Sequence, residues 1–151
     1  MNIRSLENHF DDLMMFIEDQ KLNQPSVICL TETWLSDDST LSLFEIPEYH
    51  RLISPAGFNR NSGAGIYVHK SLRYQVVEFH ESVPAVAVKC TNALKNCFMV
   101  ACVYNSPSCD KLTFIQKMST WSSVLANSKH PCYIVEDMNN NLLETNTTSN
   151  K

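Results

Sequence analysis

The sequence predicts an α/β protein, with two amphipathic helices set among seven short strands that are mostly antiparallel. Three observations predict it. Apolar residues recur at helical spacing in two stretches, 5–20 and 110–125. Between and after them lie short apolar runs rich in Val, Ile, Tyr and Phe, bounded by polar turn residues. The links joining the middle runs are too short for crossover helices, so neighbouring strands there should run antiparallel.

The chain has 151 residues, of which 44% are hydrophobic, enough for one domain with one core and too apolar for disorder. No apolar run reaches membrane-spanning length, and the start, Met1-Asn2-Ile3-Arg4-Ser5-Leu6, has no apolar signal core. An intracellular protein with no membrane association is expected. The formal net charge of −4 argues against a tight, non-specific nucleic-acid binder. It does not exclude a nuclease, because a metal site is itself acidic without its ion. None of Cys29, Cys90, Cys97, Cys102, Cys109 and Cys132 forms a CxxC pair. Reduced thiols are expected, with Cys29, Cys102 and Cys132 acting as small hydrophobes in strand-like runs.

In the first helix, Leu6, Phe10, Leu13, Met14 and Ile17 form the apolar face, with Ser5 as its cap and Asn23-Gln24-Pro25 as its stop. A strand follows at 27–30. Residues 36–40 are turn-like, 41–47 a loop, and 49–53 a short strand. Residues 55–65 are rich in Gly, Asn, Ser and Pro and read as a loop. Strands follow at 65–68, 74–79, 85–90 and 97–104. The second helix, 110–125, buries Phe114, Met118, Trp121 and Leu125, and a last strand spans 132–135. The 144–151 tail is Asn- and Thr-rich and expected to be poorly ordered.

The run 27–34, Val-Ile-Cys-Leu-Thr-Glu-Thr-Trp, is a buried-type strand that ends in an acid, Glu32. The run 132–137 ends likewise, in Glu136 and Asp137. Strand exits are where α/β proteins place ligand-handling groups. Two carboxylates with small polar neighbours, Thr33 and Asn139, suit a hard cation such as Mg²⁺ or Mn²⁺. Taken alone, two such acids are more often solvated loop carboxylates.

Four blocks occur together in order: Asn2-Ile3-Arg4-Ser5-Leu6, Thr31-Glu32-Thr33-Trp34-Leu35, Gly63-Ala64-Gly65-Ile66-Tyr67-Val68 and Val135-Glu136-Asp137-Met138-Asn139. Together they resemble the endonuclease/exonuclease/phosphatase superfamily, in particular the apurinic-type endonuclease domain of non-LTR (LINE-like) retrotransposons. The resemblance runs over 1–143 and implies a partial four-layer α/β/β/α sandwich of two mostly antiparallel packed sheets, incomplete at both ends. It implies that Glu32 and Asn2 hold Mg²⁺ or Mn²⁺, and that Tyr104 contacts the scissile phosphate. Asp137 would orient or deprotonate the attacking water, and Asn139 would stabilise the developing charge.

The pattern is broken in four places. Glu136 stands where the family has glycine, and Tyr104-Asn105 where it has Tyr-Arg. The strand before Asn2 and the closing Ser-Asp-His segment are absent. His9, His50, His69, His80 and His130 have no counterpart in the family's catalytic histidine and read as solvated or packing residues. The reading is therefore a Mg²⁺-dependent phosphodiesterase, a DNA-nicking endonuclease domain of retrotransposon origin, weak or inactive as truncated. In complete form it would nick DNA to prime reverse transcription. DNA is the implied partner, and no obligate protein partner is identifiable. The exposed sheet edge left by truncation favours self-association. The alternative is a non-catalytic remnant or binding module. Relatives acting on phosphoinositides or sphingomyelin fit less well, because the Thr-Glu-Thr-Trp-Leu block points to the retrotransposon branch.

Overall fold

The computed structural model of the chain describes residues 1–20, 22–35, 42–54, 61–78, 85–137 and 139. Its elements follow in the order α1 (Leu6–Asp19), β1 (Val27–Thr31), β2 (Tyr49–Ser54), β3 (Ala64–His69), β4 (Arg73–Val76), β5 (Ala85–Thr91), β6 (Cys97–Tyr104), α2 (Lys111–Ala126) and β7 (Cys132–Asp137). The turn at 36–40, most of the loop at 55–65, His80 and the 144–151 tail lie outside the described residues, as does the domain end at 143.

Two sheets form, in the strand orders β1-β3-β2 and β4-β5-β6-β7. Among the described residues every pairing between these strands is antiparallel except β6–β7, which is parallel. The reason is covalent: α2 lies between β6 and β7 and returns the chain to the end where β6 began. One short link does not join paired strands. β3 and β4 are separated only by Lys70–Leu72, yet they belong to different sheets. Both edges of β3 are already taken, by β1 and β2, so the turn carries the chain across to the facing sheet.

Strand alternation then makes four layers. On β3, Tyr67 joins Leu6, Leu13, Ile17, Ile28 and Leu30 in a core under α1. Its neighbours Ile66 and Val68 face the other way, packing with Val86, Val88, Cys90, Val100 and Cys102 between the sheets. On the far side of the second sheet, Ala87, Met99 and Ala101 pack with Leu125, and Val103 with Phe114 and Trp121 of α2. The architecture is α1, three-stranded sheet, four-stranded sheet, α2. The first helix is capped by Ser5 as its sequence predicts, and the second is capped by Asp110, the residue expected to be its first. Ser5 accepts from the Asn8 N–H, and Asp110 accepts from the Thr113 N–H at 2.8 Å.

β7 departs from expectation. It is not a buried strand: Tyr133, Ile134 and Val135 are 58, 39 and 38% exposed. It is the last strand of its sheet, so one edge pairs with β6 and no described residue covers the other. Cys132 is exposed for the same reason, whereas Cys102 and Cys90 are buried. Burial pushes the Cys90 thiol up to about 11. All six cysteines are free. No helix of the described residues is long and apolar enough to cross a membrane.

Leu30→Ala, which empties a fully buried position in the first core, should lower unfolding stability by about 2–5 kcal/mol in a urea titration. Val135→Ala, on the open edge, should change it by less than about 1 kcal/mol.

Candidate active site

The C-terminal ends of β1, β6 and β7 converge at one place. The chain start lies alongside β1, with Asn2 bridged to Thr31 in parallel and the Ile3 N–H donating to the Thr31 carbonyl at 3.0 Å. That pairing sets the Asn2 side chain at the exit of β1. Its amide nitrogen donates to Glu32 Oε1 at 2.7 Å and to Asp137 Oδ2 at 2.8 Å. One NH₂ group thus spans two carboxylates 105 positions apart in the sequence, one hydrogen to each.

Register delivers Asp137 to this point. Tyr104 and Asp137 are partners on one rung of the β6–β7 ladder, so they share a face. It is the face of Val100 and Cys102, directed at the first sheet. Glu136 is paired with Val103, which packs against α2, so its side chain leaves β7 on the opposite face from Asp137. The glycine-to-Glu136 departure thus adds its bulk beside α2 rather than at the carboxylates. There Glu136 is half-buried, with Oε2 unpartnered among the described residues, and desolvation pushes its carboxyl up.

The remaining candidates surround the pair. The Asn139 N–H donates to Asp137 Oδ1 at 3.3 Å, and its Nδ2 donates to the Asn105 carbonyl at 2.8 Å. The Asn105 N–H in turn donates to the Asp137 carbonyl at 3.0 Å. Burial raises the Tyr104 phenol above its ordinary value, and the nearby Glu32 and Asp137 charges raise it further. A hydrogen bond with the Asn139 side chain acts the other way. The phenol stays protonated at neutral pH and is available as a donor.

All five residues singled out from the sequence, Asn2, Glu32, Tyr104, Asp137 and Asn139, therefore meet here. His9 pairs with Asp12 on α1 at 2.9 Å, His69 with Ser71, and His50 stacks near Tyr74. None of these three takes a partner from the cluster.

The sequence gives no sign of the backbone strain. Arg4 (φ 46°), Ser5 (φ 88°), Glu32 (φ 56°), Trp34 (φ 59°) and Asn139 (φ 47°) are left-handed without being glycine, and all border the site. Such conformations cost of order 1–3 kcal/mol each and persist where the surroundings impose them. Here the surroundings are main-chain bonds: Ser5 N–H to the Glu32 carbonyl at 2.9 Å, Leu6 N–H to Thr33 at 3.0 Å, and Trp34 N–H to Ser62 at 2.9 Å.

The donor set fits a small hard cation. Both carboxylates reach one nitrogen, so hard, negatively charged oxygen donors of the kind that Mg²⁺ or Mn²⁺ prefers are gathered there. The Asn2 Oδ1, which now accepts from the Arg4 N–H at 3.2 Å, is a third oxygen at the same point. Among the described residues no three His, Cys, Asp or Glu gather around one position, so water would fill most of the shell.

Solved structures share this fold. The AP endonuclease LMAP from Leishmania major is 19% identical, with a TM-score of 0.63. The match covers 90% of this chain and 53% of that one. The APE2 catalytic domain from Xenopus laevis is 15% identical at a TM-score of 0.67, covering 92% and 57%. The endonuclease domain of TRAS1, a telomere-specific non-LTR retrotransposon, is 11% identical at 0.64, covering 93% and 57%. The chain spans little more than half the length of these structures. No family model and no curated protein sequence matches it. The fold is that of the endonuclease/exonuclease/phosphatase proteins, a two-sheet sandwich with helices on its outer faces.

A raised carboxyl gives stability that is present below the unfolded-state value and lost as pH rises through the folded one. Glu136→Gln removes that loss. It should raise the melting temperature at pH 7.5 and leave it nearly unchanged at pH 4, as followed by circular dichroism.

Proposed function

We propose that this chain is a Mg²⁺- or Mn²⁺-dependent phosphodiesterase domain of the DNA-nicking kind, of non-LTR retrotransposon origin. The observation that carries the reading is the meeting of Glu32 and Asp137 on the Asn2 amide. The fold shared with AP endonucleases and with a retrotransposon endonuclease domain supports it.

Glu32 and Asn2 would hold the cation, which when bound would supply positive charge to the non-bridging phosphate oxygens and the leaving alkoxide. Asp137 then accepts a hydrogen bond from the attacking water and orients it toward phosphorus. Its other partner, the Asn139 N–H, fixes the direction of that carboxylate. Tyr104, kept neutral, donates to the charge that develops on phosphate. Asn139 serves the same charge with its side-chain amide once that group leaves the Asn105 carbonyl.

Slow turnover is part of this reading. Among the described residues no histidine lies in the cluster and no third acid joins the carboxylate pair. The cost of one missing acid–base group is about 10²–10⁴-fold in rate. A second reading, a binding module without nuclease activity, is favoured by the same sparse donor set. Thermal shift separates the two. Mg²⁺ or Mn²⁺ should raise the melting temperature of the wild type but not of Glu32→Ala, and supercoiled plasmid should be nicked slowly by the first and not by the second. Absence of any cation effect leaves the binding-module reading.

Self-association through β7 completes the proposal. The strand is apolar at its centre, with Lys129 and His130 before it and Glu136 and Asp137 at its end. An antiparallel second copy would bring opposite charges together along the open edge. Sedimentation should show a concentration-dependent dimer, and Ile134→Lys should shift it to monomer.

A further inference from the structure

Arg4 takes no part in the mechanism above, yet the backbone is bent to present it. Arg4 and Ser5 are consecutive left-handed residues, at φ 46° and 88°. L-residues keep such positive φ values only where the surroundings impose them. Bonds from Ser5 and Leu6 to the Glu32 and Thr33 carbonyls hold the turn in place. The result is that Ile3 and Ser5 are buried while Arg4, between them, projects into solvent.

It projects beside an open groove of about 320 Å³, which runs from Asn2 past Arg4 to His9 and Asp12 on α1. α1 bends at its first turn to form the far wall, His9 being non-helical at φ −123° and ψ 20°. The Asp12 carboxylate is engaged by His9 Nδ1 at 2.9 Å. The Arg4 guanidinium has no ionic partner among the described residues. The groove opens at the residue that holds Glu32 and Asp137, and the chain carries a net charge of −4. A polyanion brought to such a site meets repulsion unless a fixed cation stands at its rim. A guanidinium suits this because its planar fork matches phosphate and is never deprotonated.

We propose that Arg4 binds a nucleic-acid phosphate next to the one that meets Glu32 and Asp137, so that the strand lies along the groove toward α1. The proposal rests on the nuclease reading and deepens it. It makes Arg4 a binding residue, with no role in moving protons.

The test is anisotropy of a short fluorescein-labelled DNA duplex, titrated with the full chain over a series of NaCl concentrations without divalent metal. Arg4→Ala should weaken binding about three- to tenfold and reduce the log–log salt slope by about 0.9, the share of one phosphate contact. Arg4→Lys should keep the slope. Arg4→Gly removes the guanidinium and also relieves the left-handed backbone, so it should weaken binding as much as Arg4→Ala with a melting temperature no lower than wild type. Arg73→Ala removes the same charge from β4, at the opposite edge of the sheet from β7, and should leave the slope unchanged. Equal effects at Arg4 and Arg73, or no effect at Arg4 in a wild type that binds, would overturn the proposal while leaving the nuclease reading standing. A wild type that shows no salt-dependent binding would overturn both.

Discussion

One side-chain amide ties the two sheets together at the exits of β1 and β7. Asn2 stands beside the first sheet and donates to acids at the tips of both. Without a donor between them, two carboxylates this close repel. With one, each forms a charge-assisted hydrogen bond, roughly twice as strong as a neutral one. Under the proposed function the hydrogens that Asn2 offers stand where a small cation would do the same task with more charge, so the carboxylate pair would not need the ion in order to fold.

The strain in the backbone follows from that convergence. Three segments distant in sequence, around residues 4, 32 and 139, must turn sharply within a few ångströms of one another. Regular strands cannot end that way, so five non-glycine residues adopt left-handed conformations there. The four layers supply the rigidity that keeps them so. The inter-sheet core of Ile66, Val68, Val88, Val100 and Cys102 lies immediately behind the site's strands, and those side chains are nearly or wholly excluded from solvent.

Much of this was legible in the sequence, because the signals were local. Periodicity located both helices, and the strand boundaries fell within a few residues of those observed, since each apolar run is closed by turn residues. The meeting of Glu32 and Asp137 rested on the order of four short blocks, and the structure brings the two together. What was not legible depended on three-dimensional context. β7 reads as interior because Tyr-Ile-Val is apolar, but burial depends on neighbours, and its outer edge has none among the described residues. The turn at 70–72 looks like any hairpin, yet β3 had no free edge to offer. The side to which Glu136 points follows from register, which only the β6–β7 pairing fixes.

The shared rung of Tyr104 and Asp137 has a wider meaning. Parallel strands joined through a sixteen-residue helix have no tight turn to set their alignment. Sliding β7 by one position would swing every one of its side chains to the opposite face. Glu136 would then confront Asn2 while Asp137 was left beside α2. Proper threading of that crossover decides which of two adjacent acids meets Asn2, so assembly of the carboxylate pair doubles as proof that β7 has docked in its native alignment.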